Sequence, residues 1–223
     1  YSYVDVVGKD ISATATAGEG YKFVGWYDFT GNKVTTGLSG DGKTISYTTT
    51  GDATYHARFE KIKVTQTFDR QILEGSTWKK TEDNKVGTLT QYTHTDVVGA
   101  TATSTATAGT GYEFVGWYDS TGNKVTVGLS GDGRTISYTT TGDATYIARF
   151  QKVKVTQTYK RQVKNGETWE ATSDTNVGTV APESLIVEYG STAGSTATAG
   201  TGYEFVGWYD VSGNPVAGDM ISN

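Results

Sequence analysis

The chain has 223 residues, with 40 Thr and 29 Gly against two Pro and one Met, a bias toward β-branched and turn-forming residues that argues against a mainly helical protein. Nineteen Lys and Arg face 24 Asp and Glu, and the net charge of -5 lies in short mixed groups without a basic stripe, so nucleic acid and anionic membrane are poor partners. The absence of Cys removes disulfides, thiolate metal sites and cysteine nucleophiles together.

Along the chain the first pattern is a repeat. Gly25-Trp26-Tyr27-Asp28 returns as Gly116-Trp117-Tyr118-Asp119 and as Gly207-Trp208-Tyr209-Asp210, with a constant step of 91 residues. Self-similarity at a fixed step marks a tandem array. Solenoid repeats run about 20 to 50 residues, so a step this long favours units that each close a small core. The expected organisation is a partial unit at 1–60, a complete unit at 61–150 and a truncated unit at 151–223. The chain thus reads as a piece of a longer protein. The expected fold class is mainly β: tandem small β-rich modules in an elongated array, each β-sandwich-like, with little helix.

Within the complete unit, Thr101-Ala102-Thr103-Ser104-Thr105-Ala106-Thr107-Ala108 has period two and predicts a strand, although its small residues bury little area and specify register weakly. Tyr112 to Tyr118 is apolar on both faces, with Tyr112, Phe114 and Tyr118 set against Val115 and Trp117, as for a central strand covered twice. Thr121-Gly122-Asn123 and Gly131-Asp132-Gly133 mark turns. Thr135–Thr139 and Ala144–Phe150 alternate again, and Thr141-Gly142-Asp143 between them predicts a tight hairpin that pairs the two. The next strand, Lys152–Tyr159, places Val153, Val155, Gln157 and Tyr159 on one face. No apolar run reaches the roughly 20 residues of a spanning helix, and no signal peptide is visible. Membrane insertion is not expected of this fragment.

The copies divide each unit in two. Gly18–Phe68 and Gly109–Tyr159 differ at 9 of 51 positions, whereas Asp69–Ala108 and Lys160–Ala199 match at only 18 of 40. Leu89–Val98 and Val180–Tyr189 share no residue, while Trp78 and Trp169 stay in register.

The string Gly109-Thr110-Gly111-Tyr112-Glu113-Phe114-Val115-Gly116-Trp117-Tyr118-Asp119, followed by Thr141-Gly142-Asp143-Ala144-Thr145-Tyr146-Ile147-Ala148-Arg149-Phe150, resembles the divergent internalin-B-type B-repeat of bacterial surface proteins. The same pattern recurs as Gly18–Asp28 with Thr50–Phe59. The segment from Lys152 to about Ser191 matches it less clearly. The resemblance implies small β-rich modules, β-grasp-like as the alternative to β-sandwich-like, strung between a presented head domain and a cell-wall anchor, outside a bacterial cell. It implies no catalysis.

Candidate chemistry is sparse. His56 and His94 are replaced one period away by Ile147 and Leu185, so an essential histidine is not expected, and no Ser/His/Asp arrangement presents itself. Asp28 with Asn32, Asp41 and Asp132 offer oxygen ligands, but one or two per turn fall short of the six to eight that calcium takes, and ordinary turn chemistry is preferred. Trp26, Trp117 and Trp208 read as core. Trp78 and Trp169, in the more polar setting Ser76-Thr77-Trp78-Lys79, are the candidate ligand contacts. The Thr101–Thr107 ladder suggests an ice-binding array only if other strands extend it, which is not expected. Lys154, Gln157 and Asn165 are nominally available for isopeptide or ester crosslinks. The function expected is therefore a structural stalk or spacer that projects a distal domain, with adjacent repeats as partners and no cofactor. The alternative is a multivalent adhesive module binding host glycan or protein weakly through each repeat.

Overall fold

The computed structural model describes residues 2 and 4–216; Tyr1, Tyr3 and residues 217–223, at the outer ends of the first and third expected units, lie outside the described residues. Among the described residues there is no helix, and the strands fall into three groups along the chain. The first is β1 (Asp10–Thr14), β2 (Tyr21–Asp28), β3 (Thr44–Thr48) and β4 (Tyr55–Lys61). The second is β5 (Lys63–Glu74), β6 (Thr77–Lys80), β7 (Gly87–Leu89), β8 (Thr93–Val97), β9 (Thr101–Ala108), β10 (Tyr112–Asp119), β11 (Thr135–Thr139) and β12 (Ala144–Lys152). The third is β13 (Lys154–Thr158), β14 (Arg161–Asn165), β15 (Thr168–Thr172), β16 (Gly178–Ala181), β17 (Ser184–Glu188) and β18 (Thr196–Ala199).

The second group is a two-layer sandwich. One layer runs β10-β12-β5-β6, with β8 also pairing β5, and the other runs β11-β9-β7. Every pairing is antiparallel except β12 with β5, which is parallel from Ala144↔Gln66 to Phe150↔Ile72. Alternation explains the layer faces: Val64, Gln66, Phe68 and Arg70 of β5 are all buried, and Tyr146, Ala148 and Phe150 of β12 pack with them. From the other layer Leu89, Ala102, Ala106 and Ile136 close the core around Trp117. The small side chains of β9, weak as register signals, leave the indole the space it needs. Trp117 is 0% exposed and donates Nε1–H to the Arg134 carbonyl at 2.9 Å.

Among the described residues, the buried Arg70 has no carboxylate partner. Its guanidinium donates to the Asp83 carbonyl at 3.3 Å, to Asn84 Oδ1 at 3.1 Å and to the Gly87 carbonyl, and it lies over the Tyr92 ring. It thereby ties β5 to the 83–87 turn, as buried cations must be satisfied by placed acceptors.

Two expectations from the sequence are corrected. Thr135–Thr139 and Ala144–Phe150 do not form a hairpin: β11 pairs β9, and β12 runs between β10 and β5 in the opposite layer, so Thr141-Gly142-Asp143 carries the chain from one sheet to the other. In place of a reversal, the Gly142 carbonyl accepts from Gln66 Nε2 at 2.6 Å and Asp143 Oδ1 accepts from the Thr65 amide at 2.7 Å. Nor does Phe114 oppose Trp117. A β-bulge between Phe114 and Gly116 shifts the register by one residue and turns both rings to the same face, edge to face at 6.0 Å. Gly116 has φ 147°, and a Cβ there would meet Lys124 Cε at 3.0 Å, so only glycine makes this bulge without strain.

The outer groups repeat parts of this plan. Trp26 and Ile45 centre a core in the first, with β2 bulged at the same place between Phe23 and Gly25. In the third, the counterpart of β5 is split into β13 and β14, and residues 203–208 belong to no strand. The junctions are alike: the Ile62 amide donates to Gly20 O at 2.8 Å while the Val98 amide donates to Ile62 O at 2.9 Å. One period on, Val153 donates to Gly111 O at 2.9 Å and Tyr189 donates to Val153 O at 2.8 Å. The chain exposes 15115 Å² at 23.8 kDa. A compact chain of that mass exposes about 9,900 Å², and the excess is that of several small modules in place of one shared core.

Candidate functional site

The outer face of the mixed sheet carries the aromatic side chains that the core leaves out. Arg149 on β12 pairs across β10 with Gly116 and across β5 with Gln71, so its side chain lies midway over that face. Its guanidinium sits 3.9 Å from the Tyr118 ring centroid and 4.9 Å from that of Trp78, and Nε–H donates to Gln71 Oε1 at 2.9 Å. Trp78, on the short strand β6, is half-buried by this arrangement. Lys80 reaches Asp69 at 3.1 Å and Gln151 reaches Glu113 at 2.6 Å on the same face. A cation between two aromatic faces is held firmly and still presents ring edges to solvent.

The two candidate tryptophans are therefore placed differently. Trp169, one period after Trp78, is 46% exposed. In the first unit Arg58 stacks on Tyr27 at 3.9 Å in the same way as Arg149 on Tyr118. Arg149, Tyr118 and Gln71 escaped the sequence reading. The available signal was the outward position of Arg in the alternating Tyr-Ile-Ala-Arg-Phe strand. Trp78→Ala is expected to lower stability by about 0.5–2 kcal/mol through loss of the stack, and Trp169→Ala to stay within about 0.5 kcal/mol. Thermal melts compare the two, and equal shifts would refute the assignment.

The threonine ladder is wider than expected. Thr101, Thr103 and Thr105 on β9 lie opposite Thr139, Ser137 and Thr135 on β11, and Thr107 lies opposite Thr88 on β7, so neighbouring strands do extend the grid. Its hydroxyls bond one another, Thr103 with Ser137 at 2.9 Å and Thr105 with Thr135 at 2.8 Å. Cross-strand pairs of this kind stabilise the sheet and occupy the groups a template would need free.

The acidic turns are likewise occupied by their own loops. Asp119 Oδ1 accepts from the Thr121 amide, the Thr121 hydroxyl and the Asn123 amide at 2.7–2.9 Å, and Asp28 does the same with Thr30 and Asn32. The Thr121 hydroxyl first, then the Asn123 amide, hold the Asp119 carboxyl below its ordinary value of 3.8. Ser130 first, then the Arg134 amide, do so for Asp132. A depressed folded value means that this contribution is present above the ordinary carboxylate range and is lost as pH falls through the folded value. Melting temperature is thus expected to hold from neutral pH to about 4 and fall below it, with a shallower fall in Asp119→Asn. An unchanged acid slope in that variant would rule out the turn as a source.

Of the remaining candidates, His94 places Nδ1 3.3 Å from Gln91 Nε2 and leaves Nε2 buried without a hydrogen-bond partner, 3.9 Å from Asp96 Oδ2. Lys154, Gln157 and Asn165 are all exposed, and Asn165 Nδ2 donates to Glu170 Oε1 at 3.4 Å. His56 lies opposite Tyr27 in the β2–β4 pair.

The family model for the divergent InlB B-repeat domain matches residues 2–63, 80–154 and 170–220, and the chain belongs to that family. The family is a bacterial surface repeat, and the three matches follow the three copies read from the sequence. Comparison with curated proteins and with solved structures finds no match.

Proposed function

We propose that this chain is a run of structural spacer repeats in an extracellular bacterial surface protein, projecting a distal functional domain and performing no catalysis itself. The observation that carries the reading is the repeated junction: the same two main-chain hydrogen bonds, through Ile62 and through Val153, join neighbouring units 91 residues apart. A joint built from backbone is copied whenever the unit is copied, so adding units extends the array without new contacts having to be invented. Small-angle scattering on chains of one, two and three units is the test. The maximum dimension should rise by a constant increment per unit, and a compact profile would sink the proposal.

A second reading is favoured by the half-exposed aromatic faces of Trp78 and Trp169, in which each unit binds host glycan or protein weakly and repetition supplies avidity. A glycan array probed with one unit and with two discriminates the readings. The spacer role predicts no binding by either.

A further inference from the structure

We propose that the complete unit carries a site for an acidic sugar, a hydroxylated ring bearing one carboxylate, in the cavity of about 340 Å³ beside the buried Arg70. The volume is that of a small ligand pocket. Arg70, Tyr92 and Lys80 line it together with Asp69, Thr81 and Glu82. Such a site gives the adhesive reading a ligand class and a place apart from Trp78 and Trp169, and it rests on that reading for the host glycan that presents the acid.

The chain itself shows what this arginine takes. One period on, Arg161 donates through Nη1 to the Gly178 carbonyl at 2.8 Å, as Arg70 does through Nη1 to that of Gly87. Nη2 of Arg161 then reaches Glu183 Oε1 at 3.2 Å. The position of Glu183 in the complete unit is Tyr92, and both residues hang from the same main-chain bond: the Phe68 amide donates to Tyr92 O at 2.8 Å, and the Tyr159 amide donates to Glu183 O at 2.8 Å. The complete unit thus keeps the arginine and its carbonyl anchor but has a ring where the third unit has the acid. Every hydrogen bond of Arg70 leaves from Nη1, so the N–H groups on Nη2 and Nε have no partner among the described residues. A buried cation with donors to spare favours a carboxylate, which accepts two of them in parallel.

The rest of the lining selects a sugar. Tyr92 is 43% exposed, its hydroxyl accepts from the Leu89 amide at 3.3 Å, and its ring centroid lies 5.2 Å from the Arg70 guanidinium carbon, so an apolar ring and unused donors stand side by side. Thr81 Oγ1 accepts from the Asp83 amide at 3.2 Å and keeps its own hydrogen to donate. Asp69 is paired with Lys80 at 3.1 Å, and Glu82 is exposed. These two carboxylates accept from hydroxyls and repel a segment that carries several acids. A hydroxylated ring with a single charge fits where an acidic peptide does not.

The test is amide NMR on the 223-residue chain titrated with D-glucuronate, with D-glucose and a blocked peptide rich in Glu as comparisons. Saturable shifts are expected at Arg70, Tyr92 and residues 80–84 with glucuronate and none there with glucose, while the peptide should bind roughly 10-fold more weakly. Tyr92→Glu should abolish the shifts in a chain that still folds, because it supplies to Arg70 the carboxylate that Glu183 supplies to Arg161. Arg70→Lys, which keeps the charge and loses the planar fork, should weaken binding roughly 10-fold. No saturable shift with glucuronate, equal binding of glucose or of the peptide, or shifts that survive Tyr92→Glu would each overturn the site. A neutral glycan that moves the Trp78 or Trp169 indole while glucuronate leaves Arg70 and Tyr92 unmoved would overturn it and keep the adhesive reading. Glucuronate bound at Arg70 by a chain that captures nothing on a glycan array would support the site and sink that reading alone.

Discussion

A segment cut at the family-model boundaries, residues 80–154, is expected to stay unfolded, whereas residues 61–154 should melt cooperatively. The reason is that the matches leave out residues 64–79, which contain nearly all of β5 and most of β6. Without β5, strand β12 loses the parallel partner that covers seven of its residues, and the core loses Val64 and Phe68, both buried. Full burial of such side chains contributes about 1.5–3 kcal/mol each, comparable in sum to the net stability of a small domain. The 83–87 turn would also lose Arg70, which satisfies its carbonyls. Far-ultraviolet circular dichroism with a thermal ramp decides the matter. A sigmoidal transition in the 80–154 segment would mean that the β5–β6 hairpin is an appendage.

Trp117→Ala should be the most damaging single substitution in the complete unit. The indole is fully enclosed, contacts Phe68 and Phe114 edge on, and bonds the Arg134 carbonyl. Truncating a buried Trp costs about 3–5 kcal/mol, because the cavity collapses only in part and a buried acceptor is left unpaired. For a unit of this size that is a fall in melting temperature of roughly 15–30 °C. Trp208→Ala should cost much less, since that ring is already half in water. Calorimetry on the full chain separates the two, and a loss at Trp117 no larger than at Trp208 would contradict the assigned core.

Local pattern made the strands legible and left their partners hidden. Alternation identified the Thr/Ala strand and the closing Ala-Arg-Phe strand, and a short apolar run the aromatic strand between them, because both are properties of neighbouring residues. It failed at Val115-Gly116, where one extra residue inverts the faces downstream and only the glycine hints at a bulge. It failed again at Thr141-Gly142-Asp143, whose turn chemistry is equally suited to a hairpin and to a crossover between layers. The parallel pairing of β12 with β5 joins residues 78 apart, as Ala144 with Gln66, and nothing local announces it. The candidate site followed the same rule. Trp78 stood out by its polar neighbours, but its cationic partner Arg149 comes from the other end of the unit.

That parallel pair also decides how a unit carries load. β5 opens the complete unit and β12 closes it, so tension along the array pulls β5 from its first residue and β12 from its last. In parallel strands these opposed forces slide one past the other, and the pairs from Ala144↔Gln66 to Phe150↔Ile72 resist together instead of parting one at a time. A force spectrometer pulling on the array should accordingly record an abrupt, high-force rupture for the complete unit, with the shear-loaded β5–β12 seam as the clamp that yields.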